Sequence, residues 1–133
     1  MDAHKKALAE ACLRGAETNT MTFPEIVGAL MNGGFESYAV DLRRATATYY
    51  VPDGESVEIS AHLVDTAIAP NFDAAGIQSA IREAQQLAPG YTYKGFCKKV
   101  AAAGCAGYLV SFSGRRALYI GRTAETHVEQ FPN

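Results

Sequence analysis

The sequence predicts an α+β fold: a two-layer sandwich of antiparallel sheet with helices on one face, built from an internal α-α-β-β-β duplication. Three observations lead there. Shifting the chain by 70 residues lays Met21-Thr22-Phe23 on Tyr91-Thr92-Tyr93, and the copies then run without a gap to Glu58 and Val128. Seven positions coincide (Thr22/Thr92, Gly34/Gly104, Tyr38/Tyr108, Val40/Val110, Ala47/Ala117, Tyr49/Tyr119 and Glu55/Glu125), against about two or three expected from average residue usage. Second, each copy passes from helical periodicity to strand alternation in the same order. Third, one unit of about 60 residues would leave a sheet face or helical stripe bare, so two units closing on a shared core form the stable solution. Residues 1–133 are expected to make one domain, with pseudo-repeats at about 2–64 and 72–132.

The first helix follows Asp2 as N-cap, carries Leu8, Ala11 and Cys12 on one face, and is expected to stop at Gly15. The second begins at Thr22-Phe23-Pro24-Glu25, a capping box with Pro in the first turn, where its missing N–H costs nothing. Ile26, Val27, Leu30 and Met31 form its apolar stripe, and Gly33-Gly34 supplies the stop. Strands are predicted at Glu36–Leu42, at Thr46–Val51 and from Ser56 through Ile59 toward Leu63, with Pro52-Asp53-Gly54 as a turn. A loop from about Asp65 to Asn71 joins the copies.

In the second copy a helix runs from Asp73 to about Ala88, ended by Pro89-Gly90, with Ile77, Ala80, Ile81 and Ala84 at core spacing. A 69-residue shift brings Leu8 onto Ile77, so the first helix belongs to the repeat as well. A helix from Thr92 to near Gly104 and strands at Gly107–Phe112, Arg116–Gly121 and Thr126–Gln130 complete it. Strand parity turns Tyr38, Val40, Leu42 and Tyr49, with Tyr108, Val110, Phe112 and Tyr119, toward the helices.

Bulk properties narrow the function classes. Hydrophobic residues make up 48 % and charged residues 20 %, as in an ordinary soluble globule. The net charge of −2 gives no general attraction to nucleic acid or to an anionic membrane. No apolar run approaches the ~18 residues a bilayer span needs, and Met1–Gly15 lacks an apolar signal core, so a cytoplasmic protein is expected. Cys12, Cys97 and Cys105 have no paired spacing and read as buried reduced thiols. No phosphate loop, nucleophile elbow or zinc signature occurs, and no cofactor is indicated.

Two constellations remain as candidates. Arg43 and Arg44 lie at the hairpin turn of the first copy, and Arg115 and Arg116 at that of the second. Four guanidinium forks on related hairpins could clamp an anion or phosphate, whereas arginine in a turn is ordinarily just solvated. Glu58 and His62 share strand parity, as do His127 and Glu129. Were the third strands of the two copies to meet, these four would suit a divalent metal or proton transfer; otherwise they are surface groups. His4 reads as a surface residue of the first helix; of the aromatic pairs Tyr49-Tyr50 and Tyr91-x-Tyr93, which could stack on a nucleic acid, Tyr49 belongs to the core and Tyr50 has little basic company.

Several runs carry a resemblance: Tyr38–Arg44, Thr48-Tyr49-Tyr50, Pro52–Glu55, Phe96-Cys97, Ala102–Val110, Gly121-Arg122-Thr123 and His127-Val128-Glu129. From about Phe23 to Pro132 the chain resembles a bacterial and prophage family of unknown function that includes YbcV- and YdfO-like proteins, often labelled "phage envelope protein". The resemblance implies a compact α+β domain in a bacterial or phage-derived cytosolic setting, and it brings no catalytic residue to transfer. The expected function is a non-catalytic binding or interaction module for a protein or a small anionic ligand. The alternatives are a small enzyme or metal-binding protein using His62 and His127, and a nucleic-acid binder using the arginine tips.

Overall fold

Side-chain caps set the helix starts. Thr22 Oγ1 accepts the Glu25 N–H at 3.3 Å while Glu25 Oε1 accepts the Thr22 N–H at 2.9 Å, completing the expected capping box. Seventy residues on, Thr92 Oγ1 accepts the Gly95 N–H at 3.0 Å. Asp2 and Asp73 cap the other two helices through the N–H groups of Lys5 and Gly76. The structure is a computed structural model describing residues 1–62 and 67–132. Its helices are α1 (Ala3–Glu17), α2 (Phe23–Asn32), α3 (Ala74–Gln86) and α4 (Tyr93–Ala102). Its strands are β1 (Ser37–Asp41), β2 (Thr46–Tyr50), β3 (Ser56–Ser60), β4 (Cys105–Ser111), β5 (Arg116–Gly121) and β6 (Thr126–Gln130). The predicted extension of the third strand to Leu63, and the start of the joining loop at Asp65, lie outside the described residues.

The six strands form one antiparallel sheet in the order β3-β2-β1-β4-β5-β6, and the helices cover one face, giving the predicted α+β sandwich. The halves meet at β1 and β4, where Tyr38 pairs with Val110, Ala39 with Leu109 and Val40 with Tyr108. That register is two-fold about the Ala39–Leu109 pair. Its ends agree: the Leu42 N–H donates to Ala106 O at 2.9 Å, and the Phe112 N–H, 70 residues on, donates to Glu36 O at 3.1 Å.

Parity does what alternation requires. Tyr38, Val40, Ala47 and Tyr49 are buried under the helices, as are Tyr108, Val110, Ala117 and Tyr119. Tyr38 and Tyr49 stack with centroids 5.4 Å apart, and Tyr108 and Tyr119 meet in a tilted pair at 5.2 Å. Leu30 and Val100 supply equivalent, fully buried contacts from α2 and α4. All three cysteines are free and buried, and burial pushes the Cys97 thiol up to about 12.

Several boundaries differ from expectation. α1 does not stop at Gly15 but continues to Glu17, because the buried Gly15 is where the Met21 side chain packs. Its end is made instead by Thr18, whose hydroxyl donates to Arg14 O at 2.8 Å, and by Asn19 at φ +58°. The buried stripe of α1 is Ala9, Cys12, Leu13 and Ala16, while Ala11 is exposed; the match to Ile77, Ala80, Ile81 and Ala84 therefore needs a shift of 68 residues, not 69. α3 ends early because Leu87 itself takes the left-handed conformation. Leu42 and Phe112 pack on the core from hairpin turns and not from strands. β4 begins at Cys105, with an irregular register between Cys105 and Gly107.

Candidate functional site

The antiparallel register across six strands places three rows of side chains on the face the helices leave bare. The middle row reads Glu58, Thr48, Ala39, Leu109, Leu118 and Val128 from β3 to β6. One flanking row runs Ser60, Thr46, Asp41, Gly107, Ile120 and Thr126, and the other Ser56, Tyr50, Ser37, Ser111, Arg116 and Gln130. On β4 to β6, Leu109, Leu118 and Val128 lie in line, with Ile120 beside them. Leu109 and Ile120 are each 37 % exposed and Val128 43 %. The equivalent positions of the first half are Ala39, Thr48, Glu58 and Tyr50.

Next to this patch the face is hollowed. A shallow concavity of about 700 Å³ is bordered by Arg43, Arg44, Tyr50, Glu58, Leu109 and Ile120. Part of its floor is Gly107, which is held to glycine by geometry: a Cβ there would stand 2.7 Å from Val40 O. The missing side chain leaves open ground between the arginine tip and Ile120.

The two arginine pairs do not converge. β1 and β4 run antiparallel, so the β1–β2 turn with Arg43 and Arg44 and the β4–β5 turn with Arg115 lie at opposite ends of the sheet. In the first turn Asp41 Oδ1 accepts the Arg43 and Arg44 N–H groups at 2.9 and 3.1 Å; in the second, Ser111 Oγ accepts the Gly114 N–H at 3.0 Å. Arg43 Nε stands 4.0 Å from Asp41. Arg115 donates to Pro132 O at 2.8 Å, and Arg116 Nε to Gly114 O at 3.1 Å.

The histidines are likewise apart. Five strand spacings separate β3 from β6 across the sheet, about 24 Å. Glu58 faces the bare side, whereas His127 and Glu129 face the helices: His127 Nε2 lies 2.7 Å from Gln78 Oε1, and Gln85 Nε2 donates to Glu129 at 3.0 Å. His62 sits past the end of β3, exposed, over the end of α1. Among the described residues no group of three or more His, Cys, Asp or Glu is placed to hold a metal.

Sequence reasoning did not single out Glu17, which organises that corner. Its half-buried carboxylate accepts the His62 N–H at 2.5 Å, the Arg14 guanidinium at 2.6 Å and stands 3.2 Å from His62 Nδ1. Burial pushes its carboxyl up, yet the hydrogen bonds from His62 and Arg14 outweigh burial and hold it below its ordinary value. The Arg14–Glu17 spacing on one helix was a readable signal; the arrival of His62 was not.

No described helix is long and apolar enough to cross a membrane. No curated protein matches the chain. Residues 11–129 match the family described as Protein of unknown function (DUF1398), and the chain belongs to that family.

Proposed function

We propose that the chain is a non-catalytic interaction module that binds a protein segment on the bare face of its sheet. The observation that carries this reading is the contiguous patch of exposed Leu109, Ile120 and Val128 around half-buried Leu118, on a side no described element covers. Contiguous exposed apolar surface on a small soluble domain marks an interaction site more often than single exposed residues do. The surface is broad and open, which suits a peptide segment better than a small ligand that must be enclosed. The net charge of −2 gives no general attraction to a polyanionic strand, so nucleic acid is the weaker reading. The same proposal takes the two halves as copies of one ancestral unit in a single domain. It places the module in a bacterial or prophage-derived cytosolic setting, on the resemblance to YbcV- and YdfO-like proteins carried by Tyr38–Arg44 and Ala102–Val110.

Selection from a random linear peptide library against the immobilised chain tests the reading. Selected peptides are expected to lose binding to a Leu118→Asp, Val128→Asp double variant whose circular dichroism is unchanged, and to keep binding to Met31→Asp on the helical side. Retained binding to the double variant would overturn the assignment of this face.

A further inference from the structure

We propose that the segment taken by this face is acidic: apolar side chains on Leu109, Leu118, Ile120 and Val128, with carboxylates reaching Arg43 and Arg44 at one end and Arg116 at the other. The inference rests on the reading just given and adds the chemistry of the partner. Its basis is the distribution of charge over the face. Every carboxylate of the three rows lies in the first half, at Asp41 and Glu58. On β4, β5 and β6 the outward positions carry a single charge, Arg116, in the row next to Leu118. At the opposite end Arg43 and Arg44 border the same concavity as Leu109 and Ile120, across the open ground above Gly107.

Among the described residues neither Arg44 nor Arg116 forms an ion pair, and Arg43 reaches only Asp41, at 4.0 Å. Arg44 and Arg116 therefore stand without an ion pair beside exposed apolar side chains, while Arg43 has Asp41 beside it; a bidentate carboxylate is the group that matches a free guanidinium. From the arginine tip to Arg116 the diagonal over the sheet is about 20 Å, the reach of about six extended residues. A lysine-rich segment would meet the same guanidinium groups as like charges. A second copy stacked face to face would set Glu58 against either Val128 or another Glu58.

The test uses fluorescence anisotropy with two labelled peptides of one apolar pattern, leucines flanked at both ends by glutamates in one and by lysines in the other. The acidic peptide is expected to bind about tenfold more tightly at low salt, with the gap closing as salt rises. Arg43→Glu with Arg44→Glu, and separately Arg116→Glu, should shrink or reverse that preference, and Leu118→Asp should abolish binding of both peptides. Equal binding, preference for the lysine peptide, or no binding of either overturns the inference. So does a dimer in sedimentation that Leu118→Asp dissolves, or recruitment of the chain to phosphatidylglycerol vesicles through this face. Library peptides that map to Leu118 without acidic bias would sink this inference alone; peptide binding that survives Leu118→Asp would sink the interaction reading itself.

Discussion

Residues 21–60 and 91–130 build the same half-sheet, and they differ by which way each side chain looks. Facing the helices, Tyr38/Tyr108, Val40/Val110, Ala47/Ala117 and Tyr49/Tyr119 are identical and buried. Facing out, Ala39/Leu109, Thr48/Leu118, Tyr50/Ile120 and Glu58/Val128 differ at every position. The inward positions share a task, filling one interior at high packing density, where a changed volume costs stability. The outward positions carry no such demand, so the second half can present an apolar surface on the same frame. At the sheet edges the difference runs inward too. Under α1 the β3 positions are Val57 and Ile59, while under α3 their equivalents are His127 and Glu129, each satisfied by a glutamine.

The sharpest way to break the equivalence of the halves is at a matched glycine pair. Gly34 and Gly104 both sit at φ +91°, but a Cβ on Gly104 would lie 2.2 Å from Asn71 O, while one on Gly34 meets only the flexible Lys5 chain at 3.4 Å. Gly34→Ala should cost about 1 kcal/mol for its backbone conformation and Gly104→Ala about 3 kcal/mol or more, in urea denaturation. Equal losses would show that the Asn71 backbone gives way freely.

An intermediate effect is expected in acid, at the corner where the first half's β3 ends over α1. Glu17 is held below its ordinary value of 4.5 in the folded chain. Its contribution is thus complete above that value and is lost as pH falls through the lower folded value. Glu17→Gln should cost about 1–2 kcal/mol at neutral pH and flatten that acid dependence. Hydrogen exchange should report earlier opening at the His62 end of β3 than at the equivalent end of β6. Uniform acid sensitivity at both edges would erase this difference between the halves.

The smallest stability effect belongs to the bare face. Exchanging its character, with Thr48→Leu and Glu58→Val in one variant and Leu118→Thr and Val128→Glu in another, should move stability by no more than ~0.5 kcal/mol. Peptide binding should vanish only in the second variant. A large loss of stability there would mean that Leu118 and Val128 serve the fold.

The helix caps were legible because they are local: Thr22 and Glu25 lie three residues apart and reach no further than one turn. The core tyrosines were legible because strand parity alone sorts inside from outside. The end of α1 was misread because Gly15 looks like a stop in isolation, and only the Met21 side chain packed against it explains a glycine inside the helix. The apolar patch was hidden for a different reason. Leu109, Leu118 and Val128 come from three strands, and each is unremarkable in its own segment.

By itself, then, the sequence determined the kinds of element, their order and the inward set of each strand, all of which follow from short-range periodicity, capping and turn chemistry. Only the tertiary structure decided that β1 meets β4 at the centre of the sheet. Pairing between strands some 70 residues apart leaves no mark in either segment, because backbone hydrogen bonds are the same for any neighbour. That one pairing sends the two arginine tips to opposite ends and His62 and His127 to opposite edges. The registers of β4 with β5 and of β5 with β6 line up the four apolar side chains on the side the helices leave uncovered.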